Sequence, residues 1–238
     1  MRYHFIKSPY NLKLMTENTA ERFLLLIQHP RKSRFILSDP LKKAGLIGSI
    51  LLDLSHEGKI DIDNDKLIVK KADTDLSAAH KQVLVRIQES SKVRKVKTWI
   101  TKLSGKSAKY QKEILCDLEN KGIIRIENKR FLFFKYYRTK LLNHKIRDQI
   151  IKEIRETILY DKHVNDENSL ILGLVHACNM YRIICRDKQE RKICKTRVKE
   201  WIQSDAISQG VGKVIREMQA AVIGAVVASS SAASSGSN

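Results

Sequence analysis

The chain has 238 residues, and a hydrophobic fraction of 42% is enough to bury a core, which argues against a disordered protein. Only 10 glycines and 3 prolines are present, and Leu, Ile, Lys and Glu recur at helical spacing, which favours a mostly helical fold. The net charge of +19, from 45 Lys and Arg against 26 Asp and Glu, indicates a polyanionic partner, either nucleic acid or an anionic membrane surface.

The first residues, MRYHFIKSPYNLKLM, contain no uninterrupted apolar segment of the kind that forms a signal peptide, so we expect a cytoplasmic protein. The longest apolar run of low charge, AAVIGAVVA at residues 220–228, is about half of the ~20 residues that span a bilayer. This run therefore predicts a buried helix. Any contact with a membrane is expected to be peripheral.

Cysteine spacing predicts free thiols in a reducing compartment, because no C-x-x-C pair occurs among Cys116, Cys178, Cys185 and Cys194. His176 lies just before Cys178, but side chains at that spacing diverge on a helix. No metal site is predicted.

In chain order, the first predicted helix covers residues 20–27 and ends before Pro30. A second helix is expected to begin at the Ser-Asp-Pro sequence of residues 38–40, since Ser or Asp caps a helix and Pro is tolerated in its first turn. On this helix Gly45 and Gly48 leave a bare face on which another backbone or a flat ligand could lie.

One short unit is present twice. LLDLSHEGKIDIDNDKLIV at residues 51–69 returns as LCDLENKGIIRIENKRFLF at residues 115–133, with a constant offset of 64 (122 − 58). In each copy an amphipathic helix reaches a glycine, Gly58 or Gly122, that is expected to adopt the left-handed conformation and end the helix. Two alternating segments follow, joined by the turn formers DND or ENK, and predict a β-hairpin.

Between the two copies, residues 76–88 predict a helix, and a second helix ends near Gly105. The positions expected to face the core are Leu76, Ala79, Val83 and Ile87 in the former, and Val93, Val96, Ile100 and Leu103 in the latter. The basic positions expected to face outward on the second helix are Lys92, Arg94, Lys95, Lys97 and Lys102.

The helix before the second hairpin is expected to bury Tyr110, Ile114 and Leu118 and to expose its lysines. After residue 143 the chain is predicted to be entirely helical, with one isoleucine stripe and one central buried helix, SLILGLVHACNMYRIIC. The isoleucines of the stripe are Ile146, Ile150, Ile154 and Ile158. An amphipathic helix ending near Trp201 and a last helix over residues 211–227 follow. We therefore predict one domain over residues 1–228 and a disordered Ser-rich tail over residues 229–238.

Catalytic motifs are not found in the sequence. GVGK at residues 210–213 lacks the first glycine of a phosphate-binding loop, and Val214 stands where Ser or Thr is required. No H-E-x-x-H or G-x-S-x-G sequence occurs. We predict that the protein is not an enzyme and that it has no cofactor. A winged-helix protein that binds nucleic acid is an alternative, because Lys66, Lys129 and Arg130 place positive charge on the two hairpins.

The order of motifs resembles the Golgi phosphoprotein 3 (GPP34) family, which includes eukaryotic Golgi adaptors and bacterial homologues, and we expect a bacterial homologue. The segments that carry the resemblance are LKLM, RFLLLI, GLIGSILLDLSHEGKIDI, WITKLSG, LENKGII, FLFF, HVNDEN, LVHAC and VIGAVVAS. The resemblance implies a mainly α, single-domain helical bundle with two short β-hairpins. It also implies that the C-terminal apolar segment lies in the bundle.

Eukaryotic members of this family bind phosphatidylinositol 4-phosphate through one Trp and three Arg, whose positions fall near Ser38, Ile47, Ala108 and Gln111 in this chain. None of these residues matches the family. Neighbouring lysines could supply the charge, and the candidate lipid-binding residues are Lys42, Lys43, Lys109 and Lys112. The resemblance thus predicts a peripheral membrane-binding module for anionic phospholipids, with a possible adaptor role toward protein cargo. Nonspecific binding of nucleic acid is also expected from the charge.

Overall fold

The computed structural model describes residues 18–70, 76–131, 134–160, 166–203 and 209–234, and this part of the chain contains ten helices and five strands. The helices are α1 (Thr19–Ile27), α2 (Asp39–His56), α3 (Ala78–Gln88), α4 (Val96–Ser104), α5 (Ser107–Asn120), α6 (His144–Tyr160), α7 (Asp166–Ala177), α8 (Tyr181–Ile184), α9 (Lys188–Gln203) and α10 (Gln209–Ser234). The strands are β1 (Ile60–Asp63), β2 (Lys66–Val69), β3 (Arg94–Lys95), β4 (Ile124–Phe131) and β5 (Phe134–Leu141). The predicted mainly α fold is confirmed.

Helix α2 is the centre of the bundle. Every residue from 44 to 54 is buried, and the helix packs against α1, α3, α4, α5, α7 and α10. A helix that is apolar on all sides requires partners on all sides. Helix α7, in which the sequence analysis placed the central helix, is also buried, but fewer helices surround it.

The glycines of α2 are covered by side chains of the protein's own core. A Cβ atom on Gly45 would lie 2.4 Å from Phe23 Cζ and 2.8 Å from Cys178 Sγ, and one on Gly48 would lie 2.9 Å from Val222 Cγ2. The bare face therefore receives α1, α10 and the end of α7. The suggestion that a flat ligand lies there is wrong.

Both repeated glycines end a helix in the predicted way. Gly58 has a φ of 68° and Gly122 a φ of 69°. The residue after each glycine donates its backbone N–H to the carbonyl five positions earlier, Lys59 to Leu54 at 2.9 Å and Ile123 to Leu118 at 3.0 Å. These matching bonds satisfy carbonyl groups that the helix leaves unpaired at its end. Hairpins β1–β2 and β4–β5 follow directly.

The two hairpins differ in length, and the predicted ENK turn is wrong. In the first hairpin Asn64 and Asp65 have φ values of 46° and 61° and form the turn. In the second hairpin Lys129 replaces Asp65, and lysine adopts the left-handed region much less readily than Asn or Asp. The chain therefore continues as a strand, and Glu127 lies opposite Arg138 in β5.

Two further expectations are corrected by the structure. Val93 is 64% exposed because it precedes α4, in the segment that enters β3, and Trp99 lies inward instead. The long helix predicted after residue 168 is interrupted, because Asn179 has a φ of 51° and Met180 donates its backbone N–H to Val175 at 2.8 Å. Asparagine tolerates this conformation and ends α7, so α8 begins as a separate helix.

The C-terminal apolar segment lies in the bundle, as the resemblance implied, since α10 packs against α2, α4 and α7. Its helical backbone continues to Ser234 and thus enters the segment predicted to be a disordered tail. Residues 235–238, the LKLM segment at residues 12–15 and part of HVNDEN lie outside the described residues.

Candidate membrane-binding site

The candidate lysines at the start of α2 share one carboxylate. Lys42 Nζ lies 3.0 Å from Asp39 Oδ1, and Lys43 Nζ lies 2.5 Å from Asp39 Oδ2. Lys42 also lies over the ring of Phe35, with 5.3 Å between Nζ and the ring centroid. The hydrogen bonds from Lys43 and Lys42 lower the pKa of Asp39. This pair of lysines is therefore partly neutralised by the protein itself.

The candidate lysines on α5 lie on the outer side of that helix. Tyr110, Ile114 and Leu118 fix the helix by packing inward, as predicted, which leaves Lys109 and Lys112 exposed on its outer side. Within the described ranges neither lysine forms an ion pair with an acidic side chain. Their charge is available to an external anion.

The two lysine pairs are linked only by the packing of the helices that carry them. Helix α5 packs against α2, and each helix leads to one of the repeated glycines. Lys42 and Lys43 are brought together by Asp39, whereas the described residues show no ion pair or hydrogen bond that joins this pair to Lys109 or Lys112. Among the described residues the four lysines are therefore two pairs on two packed helices.

The positions equivalent to the family's headgroup residues carry other roles here. Ser38 is the exposed residue before α2, Ile47 is fully buried in the core, and Ala108 is exposed without a functional group. Gln111 is buried and donates its amide to Tyr137 Oη at 3.1 Å. No guanidinium group is present at any of these four positions.

A family model described as Golgi phosphoprotein 3 (GPP34) matches residues 20–218, most of the chain. The chain belongs to the GPP34 family. This confirms the resemblance recognised in the sequence, and it points to a role of the Golgi phosphoprotein type in a family that is associated with Golgi membranes and is not known for enzymes. Among the described residues no helix combines the length and apolar character needed to cross a bilayer.

The sequence analysis missed a buried serine–histidine–aspartate chain beside a cleft of about 620 Å³. The Ser77 hydroxyl lies 2.6 Å from His80 Nδ1, and His80 Nε2 lies 3.0 Å from Asp53 Oδ2. Because a carboxylate only accepts hydrogen bonds, Nε2 carries a proton and donates it to Asp53. Asp53 also accepts the backbone N–H groups of Thr19 and Ala20 at 2.8 and 3.0 Å.

This chain of hydrogen bonds joins three helices. Asp53 of α2 satisfies N–H groups at the start of α1, which a helix leaves unpaired, and Ser77 precedes α3. His80 is 2% exposed, and it lines the cleft together with Ser77. No short motif identifies this arrangement, because the aspartate lies 27 positions before the histidine.

A group of possible metal ligands also escaped the sequence analysis. The ligand atoms of Cys185, Glu190 and Cys194 lie within 4.8 Å of one another. However, Glu190 Oε1 accepts from Arg155 Nε at 2.7 Å and Oε2 accepts the backbone N–H of Arg186 at 3.2 Å, so both oxygens are engaged. The guanidinium charge of Arg155 also opposes a cation, and this geometry gives no support for a metal.

Proposed function

We propose that this GPP34 protein is a peripheral membrane protein that binds anionic phospholipid headgroups, including phosphoinositides such as phosphatidylinositol 4-phosphate, and that it serves as an adaptor for protein cargo. The candidate contact residues are Lys42, Lys43, Lys109 and Lys112. Family membership supports the membrane role. The observation that carries the proposal on this chain is the pair of exposed lysines on α5 without an acidic partner among the described residues.

Electrostatics sets the expected strength of binding. The four lysines and Asp39 together carry three net positive charges (4 − 1 = 3). Each basic charge near an anionic bilayer contributes about 1 kcal/mol, so the surface supplies about 3 kcal/mol, or roughly 100-fold in partitioning. Binding should weaken steeply with salt, because the Debye length falls from ~10 Å at 0.1 M to ~3 Å at 1 M.

Selectivity among anionic lipids should follow charge more than headgroup shape. Lysine presents a point charge, whereas arginine offers a planar fork that binds a phosphate through two parallel hydrogen bonds. The positions at which eukaryotic members carry these arginines fall near Ile47, Ala108 and Gln111 in this chain. Vesicles that contain phosphatidylserine or a phosphoinositide at equal surface charge should therefore bind similarly to this four-lysine surface.

The proposal is tested by vesicle flotation of a variant in which Lys42, Lys43, Lys109 and Lys112 are all changed to Glu. A matched control changes four exposed lysines of α9 to Glu, namely Lys188, Lys192, Lys195 and Lys199. Both variants have the same formal charge of +11 (19 − 8). Any difference between them therefore reports the location of the site and not the overall charge.

We expect the first variant to lose flotation with anionic vesicles while keeping its circular-dichroism spectrum and melting temperature. The α9 variant should lose less, and neutral phosphatidylcholine vesicles should not bind the wild-type protein. If the first variant is folded and floats like the wild type, the proposed surface is not the membrane site. If only the α9 variant loses flotation, the membrane site lies on α9.

A further inference from the structure

A second concave site lies between the end of α3, strand β3, the middle and end of α4, and the residue before α5. It encloses about 450 Å³, and its lining includes four cationic side chains, Arg86, Arg94, Lys102 and Lys106. None of the family's headgroup positions and none of the four candidate lysines contributes to it. Its lining thus differs from the surface proposed above, although Lys106 lies one turn before Lys109, and the inference does not depend on that proposal.

The charge of this pocket is not balanced by the protein. Glu89 is the acidic residue of the lining, which leaves a formal charge of +3 (4 − 1). Within the part of the chain that the structure describes, none of the four cationic residues forms an ion pair, and neither does Glu89. Like charges held close together around a concavity attract an anion.

Two hydrogen-bond donors in the lining also lack a partner. Trp99 is only 5% exposed, and its indole Nε1 is buried without an acceptor. The Nε atom of Arg94 is likewise buried and unpartnered. A buried donor without an acceptor costs about 1–3 kcal/mol, and both donors belong to residues that line the pocket.

We propose that this pocket, formed by Arg86, Arg94, Trp99, Lys102 and Lys106, binds a phosphate monoester. Such a group is close to a dianion at pH 7, because its second pKa is about 6, and its oxygens only accept hydrogen bonds once it is fully ionised. Arginine can donate hydrogen bonds to two of these oxygens at once. A cavity of about 450 Å³ is large enough for the phosphate and a small organic group. The monoester belongs either to a soluble organic phosphate or to a lipid headgroup.

Binding of the soluble form can be followed through Trp99. The chain contains 2 Trp residues, so the variant Trp201→Phe leaves Trp99 as the single indole fluorophore. Glycerol 3-phosphate is titrated into this variant at constant ionic strength, with methanesulfonate as a monoanionic control and calorimetry as a second readout. We expect a saturable change in Trp99 fluorescence with glycerol 3-phosphate and none with methanesulfonate. The affinity for glycerol 3-phosphate should weaken as the pH falls below about 6.

The location of the site is tested by two charge-matched double variants. Arg86→Gln/Arg94→Gln removes two charges from the pocket, and Lys81→Gln/Lys92→Gln removes two exposed charges that do not line it. We expect the pocket variant to bind at least tenfold more weakly, about 1.4 kcal/mol, and the control variant to bind nearly as the wild type. If Arg86→Gln/Arg94→Gln does not fold, Lys102→Gln/Lys106→Gln replaces it, because both lysines are exposed.

The source of the phosphate is decided with vesicles of phosphatidylcholine that contain phosphatidic acid, a lipid monoester, or phosphatidylserine, a diester, at equal surface charge. If the wild-type protein prefers phosphatidic acid and the pocket variant does not, the ligand is a lipid headgroup. Saturable binding of glycerol 3-phosphate without this preference assigns a soluble one. The proposal is overturned if neither arm shows binding, or if both double variants weaken it equally.

Discussion

At the scale of single residues, Asp39 limits the positive charge that α2 presents. It binds Lys42 and Lys43 through separate carboxylate oxygens, so two cations share one anion. An acidic residue in the first turn also interacts favourably with the helix dipole. Asp39 therefore stabilises the start of α2 at the expense of charge on the proposed membrane surface.

Replacing Asp39 with Asn should strengthen binding to anionic vesicles. The change adds one net positive charge, worth about 1 kcal/mol or roughly fivefold at moderate salt. Flotation at pH 7 measures the gain, and Asp187→Asn, at an exposed acid before α9, is the charge-matched control. Equal gains in the two variants would show that overall charge, not this surface, determines binding.

The same carboxylate predicts a pH dependence. Lysine hydrogen bonds depress the pKa of Asp39 in the folded state, so its stabilising contribution is present above the unfolded value near 3.9 and is lost as the pH falls through the folded value. The melting temperature of Asp39→Asn should thus lie below that of the wild type at pH 7. The two melting temperatures should converge under strongly acidic conditions, and a constant difference there would contradict the assignment.

Asp53, unlike Asp39, has a structural role in the core. It accepts two backbone N–H groups and the His80 ring while almost fully buried. Asp53→Ala should destabilise the protein by more than ~2 kcal/mol in denaturant unfolding, since hydrogen bonds to a charged group each contribute about 1.5–3 kcal/mol. Ser77→Ala removes one bond and should cost about 1 kcal/mol. If Asp53→Ala and Ser77→Ala lower the free energy of unfolding by the same small amount, Asp53 does not hold α1, α2 and α3 together.

At the scale of elements, two helices end in the same way and lead into unlike hairpins. The left-handed glycine decides where α2 and α5 end, and the residues at the next reversal decide how long each hairpin is. Asn64 and Asp65 permit a tight turn, whereas Lys129 at the second equivalent position keeps the chain extended. A repeated unit can therefore diverge in shape through a single turn.

The glycine ends can be tested at Gly122, where an added Cβ meets no atom within 4 Å, so that only backbone strain is measured. Gly122→Val should cost about 1–2 kcal/mol in thermal or denaturant unfolding, because a branched side chain disfavours positive φ. Gly122→Asn should cost less, since Asn visits this region more readily. Similar losses for Val and Asn would point to a cause other than the backbone conformation.

At the scale of the whole molecule, the charge of +19 suits nucleic acid as well as a membrane. The structure adds a long basic hairpin, β4–β5, on which Arg125, Arg138 and Lys140 are exposed, while Lys129 is paired with Glu127 at 3.1 Å. Such a surface binds phosphate backbones without reading bases. Of the two helices that precede the hairpins, α2 is buried over residues 44–54 and so is closed to a DNA groove along most of its length.

Selection from random DNA duplexes should therefore return no enriched motif. Nonspecific binding that weakens with salt is expected from the charge, whereas specific recognition is typically 10³-fold or more tighter than nonspecific binding. The measurement is sequencing of retained duplexes at physiological salt, beside flotation of the same preparation. A clear consensus would favour the winged-helix alternative over the membrane proposal.

The sequence by itself determined the helix ends at Gly58 and Gly122, the mainly α fold and the family. These follow from local preferences: backbone conformations that glycine favours, and the helical repeat of Ile146 to Ile158 that packs inward. It also identified Lys109 and Lys112 as exposed, since residues opposite a buried stripe face solvent.

Only the tertiary structure decided what each side chain meets. Asp39 neutralises part of the α2 lysines, core side chains fill the face of Gly45, and Asp53 reaches the start of α1. The cationic pocket combines Arg86 at the end of α3 with residues of β3, α4 and the start of α5. Periodicity shows which side of a helix is apolar, but it does not show which partner covers that side. Those contacts join residues far apart in the chain, and packing alone brings them together.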